Sequence, residues 1–209
     1  MNVTIIPVGM LGTNCYLLTT QSGGCALIDP GGQPEKIASI LEEKGCQPKY
    51  ILLTHGHYDH TGGVKALMEK YPEAECLIGK ADKELLVDQE KSTFMLRGMD
   101  WDNFYLPEVK EIEEGEEFTL DNLTIRVLET PGHSLGGVCY ICGEVIFSGD
   151  TLFLENVGRC DLYGGDFDSL RKSLKKLSEL AGDYTVYPGH GEPTTLAHER
   201  QHNPYMSGG

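Results

Sequence analysis

The chain has 209 residues, 40% hydrophobic and 23% charged, a balance that supports one globular domain with a substantial core. Seventeen basic against thirty-two acidic residues leave a formal charge of −15, which repels phosphate backbones and anionic lipid and argues against nucleic acid or a membrane as partner. The opening "MNVTIIPVGMLGTNCYLL" has neither a basic leader nor an apolar run long enough for a signal peptide, which predicts a cytoplasmic protein.

In chain order, "NVTIIPVG", "CYLLTT" and "CALIDP" read as strands, with a turn signal at Ser22-Gly23-Gly24. "PEKIASILEEKG" places Ile37, Ile40 and Leu41 at helical spacing, with Pro34 early and Gly45 as a stop. "KYILLTH" is a nearly continuous apolar strand that ends in a histidine cluster, and "GVKALMEKYP" then has a helical pattern closed by Pro72. "ECLIG" reads as a further strand. The stretch 80–106, with "ADKELLVDQE" and the aromatic "MDWDNFYL", reads equally as a helical lid over a site or as a loop whose aromatics cover a core edge. Strands resume through "EFTLDNLTIRVLETPGH", "GGVCYICG" and "EVIFSGD", the last two joined by a tight Gly143-Glu144 turn. "DSLRKSLKKLSELAG" aligns Leu170, Leu174, Leu177 and Ala181 on one helical face, and "YTVYPGH" closes the β pattern. Strands in two runs with interspersed helices predict layered sheets with helices outside.

The cysteines are seven, an odd and scattered set unlike a secreted disulfide framework. Cys139 and Cys142 form a C-x-x-C, but in a strand an offset of three sends the side chains to opposite faces about 10 Å apart. That exceeds the roughly 7 Å reach of a disulfide.

Chemistry concentrates in "LLTHGHYDHTGG". His55 and His57 are two apart at a strand end, so they face one side and can share a metal. Asp59 and His60 follow a change of direction that Gly56 and Gly62-Gly63 permit, and can face a second. His133 in "ETPGHSLGG", Asp150 in "IFSGDT" and His190 in "YPGHGEP" also lie in strand-end turns, where loops converge on a site. A set of nitrogen and oxygen donors without cysteine suits zinc, and iron and manganese fit the same donors.

These blocks, with "GTNCYLL", "ALIDPGG" and "YPGHGEPTT", resemble the metallo-β-lactamase superfamily, and within it the short glyoxalase II-like hydrolases, over nearly the whole chain. The resemblance implies a four-layer αββα sandwich of two mixed sheets flanked by helices, within α/β (α+β) architecture. It implies that His55, His57 and His133 hold one divalent ion, that Asp59, His60 and His190 hold the other, and that Asp150 bridges them. It further implies a thioester hydrolase of the S-acylglutathione type, such as S-D-lactoylglutathione, working through a metal-bridging hydroxide that catalytic Asp59 orients. Another ester or a lactone remains an alternative substrate. True β-lactamases of the superfamily carry cysteine where this chain has Asp150, which argues against antibiotic hydrolysis.

"GRCDLYGGD" resembles a loop at the substrate side of such enzymes, giving Arg159 and Tyr163 as substrate-binding candidates; Arg159 could equally pair with Asp161 or Asp166 at the surface. Only nineteen residues follow His190, so residues 1–209 are expected to form one hydrolase domain without the helical domain that binds glutathione in full-length glyoxalase II. A mononuclear-iron persulfide dioxygenase using His55, His133 and Asp150 is the alternative reading. "HERQH", His198 to His202, matches the zincin H-E-x-x-H pattern, but no further ligand follows it, so chance is the better account.

Overall fold

A computed structural model describes residues 1–94 and 100–206. Residues 95–99 of the anticipated lid lie outside the described residues. The first half of the chain forms a six-stranded sheet in the order β1 (Asn2–Val8), β2 (Thr13–Thr19), β3 (Cys25–Ile28), β4 (Pro48–Leu53), β5 (Glu75–Gly79), β6 (Lys110–Ile112). Its first three strands pair antiparallel and the rest parallel, with α1 (Pro34–Glu43) and then α3 (Val64–Lys70) making the crossovers. The short α2 (Tyr58–Thr61) lies between β4 and α3.

The second sheet runs β14 (Thr194–Thr195), β13 (Thr185–Pro188), β10 (Val145–Gly149), β9 (Val138–Cys142), β8 (Leu123–Glu129), β7 (Glu117–Leu120). Only β10 and β13 are parallel, because α4 (Phe167–Ser178) carries the chain across between them. A small hairpin of β11 (Leu152–Phe153) and β12 (Asn156–Val157) follows β10, and α5 (Leu196–His202) follows β14.

Strand alternation builds three cores. Tyr16, Leu18, Ile28, Tyr50 and Leu52 of the first sheet meet Ile125, Val127, Tyr140 and Phe147 of the second between the sheets. Leu17, Leu27, Ile51 and Leu53 face the other way, onto Ile37 and Leu41 of α1 and Val64 and Leu67 of α3. Leu128, Cys139 and Ile146 pack on Leu170, Leu174 and Leu177 of α4. This is the anticipated αββα sandwich. Cys139 lies in the outer core and Cys142 in the inner one, and both are free thiols, as strand geometry requires.

One expectation needs correction, and one open alternative is resolved. The apolar face of α4 ends at Leu177, since the helix stops at Ser178 and Ala181 is exposed beyond it. The early part of 80–106 is a 3₁₀ helix, Lys80–Leu86, and a second short one spans Trp101–Asn103. Phe94 and Phe104 are buried with Tyr58 in one aromatic cluster against which Trp101 packs, so these three aromatics of the segment cover the structure beside α2, while Tyr105 is exposed. Among the described residues no helix is long and apolar enough to cross a membrane.

Candidate metal centre

The strands β4, β8, β10 and β13 end at one edge of the sandwich, and their following turns carry the polar cluster. β4 delivers His55 and His57, α2 carries Asp59 and His60, the β8–β9 loop carries His133, and Asp150 and His190 follow β10 and β13. All seven anticipated ligands meet here. Their donor atoms form three overlapping groups, His55/His57/His133, Asp59/His60/His190 and His55/His60/Asp150, within each of which they lie within 4.8 Å of one another.

Asp150 stands between the first two groups. Its Oδ1 is 3.4 Å from His60 Nε2, while its Oδ2 is 3.6 Å from both His133 Nε2 and His190 Nε2. Asp59 Oδ2 is 3.2 Å from His190 Nε2 and accepts a 3.1 Å hydrogen bond from the Thr13 hydroxyl. The close approach has a backbone requirement, since a Cβ on Gly189 would sit 2.2 Å from Asp150 Oδ1.

The donor set fits divalent metal. His55 Nε2 and His57 Nε2 are buried with no hydrogen-bond partner, which costs about 1–3 kcal/mol for a neutral polar group. Burial and the neighbouring His60 and His57 push His55 well below the ordinary histidine range, and burial with His133 pushes His57 down to about 3. Both rings are therefore neutral near pH 7, as metal ligation demands. His60 behaves oppositely: burial alone would lower it, but Asp59, Asp150 and Asp29 raise it well above the ordinary value. Asp59 and Asp150, which burial alone would raise, are held low by His60 and the histidines around it.

Ring orientation is set by second partners. His133 Nδ1 donates to the Arg159 carbonyl at 2.7 Å, which turns Nε2 toward Asp150. Asp29 Oδ2 holds His60 Nδ1 at 3.0 Å and also accepts the Thr54 hydroxyl at 2.6 Å, while Oδ1 accepts the Thr54 N–H at 2.8 Å. Asp29 has a left-handed φ of 49°, uncommon for a residue with a side chain, and these bonds hold it there.

The sequence reading assigned Asp29 no role, although its place after a strand in "ALIDPGG" is a usable signal. It likewise passed over Asn14, whose Nδ2 donates to the carbonyls of Pro188 and Gly191 on either side of His190, and Tyr16, whose hydroxyl also donates to Pro188. Asp82 was not identified because its three partners are far away in sequence.

The substrate candidates lie differently from the ligands. The Arg159 guanidinium forms two hydrogen bonds to Asp161, at 2.6 and 2.7 Å, with its side chain 62% exposed. The Tyr163 hydroxyl donates to Glu84 at 2.9 Å beneath Lys91, tying its loop to the 3₁₀ helix after β5. The zincin-like histidines are on α5, but Glu199 between them is buried and accepts from Thr194, Asn203 and the Glu155 N–H. Glu199 is thus a structural acceptor, and His198 pairs with Glu155.

A family model described as the metallo-beta-lactamase superfamily matches residues 8–190. The chain is 35% identical to hydroxyacylglutathione hydrolase GloC of Haemophilus influenzae, over 99% of each protein. It superposes on the crystal structure of BLEG-1 B3 metallo-beta-lactamase with a TM-score of 0.91 at 32% identity, covering 99% of this chain and 100% of that one. A di-iron-bound form of TTHA1623 matches with a TM-score of 0.84 at 38% identity, covering 97% and 100%.

Proposed function

The chain belongs to the metallo-beta-lactamase superfamily of metal-dependent hydrolases, and from that premise we propose that it is a dinuclear hydrolase of thioesters of the S-acylglutathione type. The observation that carries this reading is the pair of donor groups meeting at Asp150, whose Oδ1 faces His60 and whose Oδ2 faces both His133 and His190. His55, His57 and His133 would hold one ion, Asp59, His60 and His190 the other, with Asp150 shared. Zinc suits the donors, and the di-iron neighbour supports iron as the competing metal.

Divalent ions held by these residues would supply a coordinated water of lowered pKa, toward about 7, and a Lewis acid for a carbonyl. The residues of the chain set up that chemistry. Asp59, fixed by Thr13, faces the cluster with an oxygen free of its own proton and is placed to orient the nucleophile. His60 and His133 are held from behind by Asp29 and the Arg159 carbonyl, so neither ring turns away. A thiolate leaves readily, so the reaction does not require a strong side-chain acid. Residues 1–209 act as one domain in this reading, on a small thioester, with the similarity to GloC pointing to a glutathione-derived one.

The test is loss of thioester absorbance with S-D-lactoylglutathione and zinc-reconstituted protein, with Asp59→Ala as control. Turnover abolished in the variant supports the reading. The likeness to BLEG-1 favours β-lactam hydrolysis as a second reading, and a chromogenic cephalosporin tests it in parallel. No thioester turnover, with one iron bound and thiol-dependent oxygen uptake, would replace hydrolysis by the dioxygenase alternative.

A further inference from the structure

Asp82 is fully buried in the 3₁₀ helix after β5, outside all three donor groups. Its Oδ2 accepts the Gly56 N–H at 2.9 Å and the Ser134 hydroxyl at 2.7 Å, and its Oδ1 accepts the Gly136 N–H at 2.5 Å. Gly56 separates His55 from His57, and Ser134 follows His133. One carboxylate therefore joins two chain segments, from different sheets, that carry the three histidines of one donor group.

We propose that Asp82 is a positioning residue that fixes the spacing of His55 and His57 against His133, and thereby the metal affinity of that half of the centre. This rests on the metal-binding part of the reading above and is independent of the substrate.

Burying a carboxylate is costly unless its lone pairs are satisfied, and an apolar side chain would fill the space at lower cost. What an apolar side chain would not do is accept three donors converging from two loops. An amide would not do it either. Asparagine keeps the shape but replaces one oxygen with a donor, which in either orientation would face a backbone N–H, at Gly56 or at Gly136, and push one loop away. The backbone is fitted to the same contact: a Cβ on Gly136 would come 2.3 Å from the Asp82 nitrogen. On the strand side of the histidines the two segments are also joined by the Val138 N–H to the Thr54 carbonyl and by the Tyr140 hydroxyl to the Leu53 carbonyl, both at 2.8 Å. Asp82 closes the other side. His57 Nδ1 and His133 Nε2 are 2.9 Å apart, a separation that a small shift of either loop would change. Asp29 performs the equivalent task for His60 by touching the ring itself, whereas Asp82 acts through backbone amides and a hydroxyl.

The experiment is zinc titration under chelator competition in two backgrounds. His190→Ala leaves the His55 group intact, and His57→Ala leaves the His60 group. Adding Asp82→Asn should weaken zinc binding about 10- to 100-fold in the first background and less than about twofold in the second. Cobalt substituted into the first background should show a changed visible absorption. Equal weakening in both backgrounds, or a lower melting midpoint of the metal-free protein with unchanged zinc affinity, would overturn the proposal. Should Asp82→Asn not fold, Ser134→Ala removes one of the three bonds, with about fivefold weakening expected in the first background; no change there would overturn it. If the unmodified protein takes up no zinc, the metal reading itself fails and this proposal with it. Normal zinc uptake that is insensitive to residue 82 removes the proposal alone.

Discussion

The two donor groups, His55, His57 and His133 against Asp59, His60 and His190, place their histidines in opposite electrostatic settings. Around His55 and His57 burial and the neighbouring imidazoles lower both rings, and the opposing pull of Asp150 and Asp59 on His57 does not overcome them. Around His60 and His190 stand Asp59 and Asp150, and despite burial these carboxylates raise both histidines. His55 and His57 present neutral nitrogens, whereas those of His60 and His190 are embedded in negative charge. One histidine-rich motif thus places His57 and His60 in unequal settings, because His60 lies against Asp29, Asp59 and Asp150 while burial and His133 dominate at His57.

The largest break in that comparison is removal of the second half's charge. Asp59→Asn should reduce kcat/KM for the thioester on the order of a thousandfold, and a steady-state assay with zinc analysis would show whether binding or turnover is lost. Next, Asp29→Ala removes the acceptor behind His60 and should weaken zinc in the His60 group about 10- to 100-fold, leaving the His55 group unchanged by the same competition titration.

The pH dependence of the metal-free protein separates the halves by sign. His57 is lowered to about 3, so the unfolded chain binds more protons below about pH 6.5, and the stability that neutral His57 contributes is lost as pH falls below that value. His60 is raised, so its contribution is fully present below about pH 6.5 and is lost as pH rises through its folded value. Melting curves from pH 8 to 5 should show wild type losing its advantage over His57→Gln on acidification and gaining advantage over His60→Gln. Parallel curves for the two variants would contradict unequal halves.

Smaller effects are expected at the periphery. Arg159→Ala should leave the melting midpoint unchanged, since its ion pair is solvent-exposed. A rise in KM with unchanged kcat would show that the guanidinium leaves Asp161 for substrate. The double variant His198→Ala, His202→Ala should keep full zinc stoichiometry, because α5 contributes nothing to the three donor groups.

The sequence was most legible where spacing alone constrains geometry. The alternation of β9 separated Cys139 from Cys142, and the two-residue step from His55 to His57 put both rings in one donor group. Legibility failed where partners are distant in sequence. Nothing local shows that Asp82 accepts from Gly56 and Gly136, or that Arg159 acts on His133 through its carbonyl while its side chain turns away to Asp161. Ala181 was misplaced for a related reason: helical periodicity continues past Ser178, but the helix itself does not.

By itself, then, the sequence determined the layered architecture and the seven metal-ligand candidates, because apolar periodicity and donor types at strand ends are local properties. The tertiary structure alone decided which oxygen of Asp150 faces which histidine, which rings are neutral, and which buried aspartates hold the loops. Those depend on distances between segments that only packing of the two sheets brings together, and on the low dielectric that their burial creates.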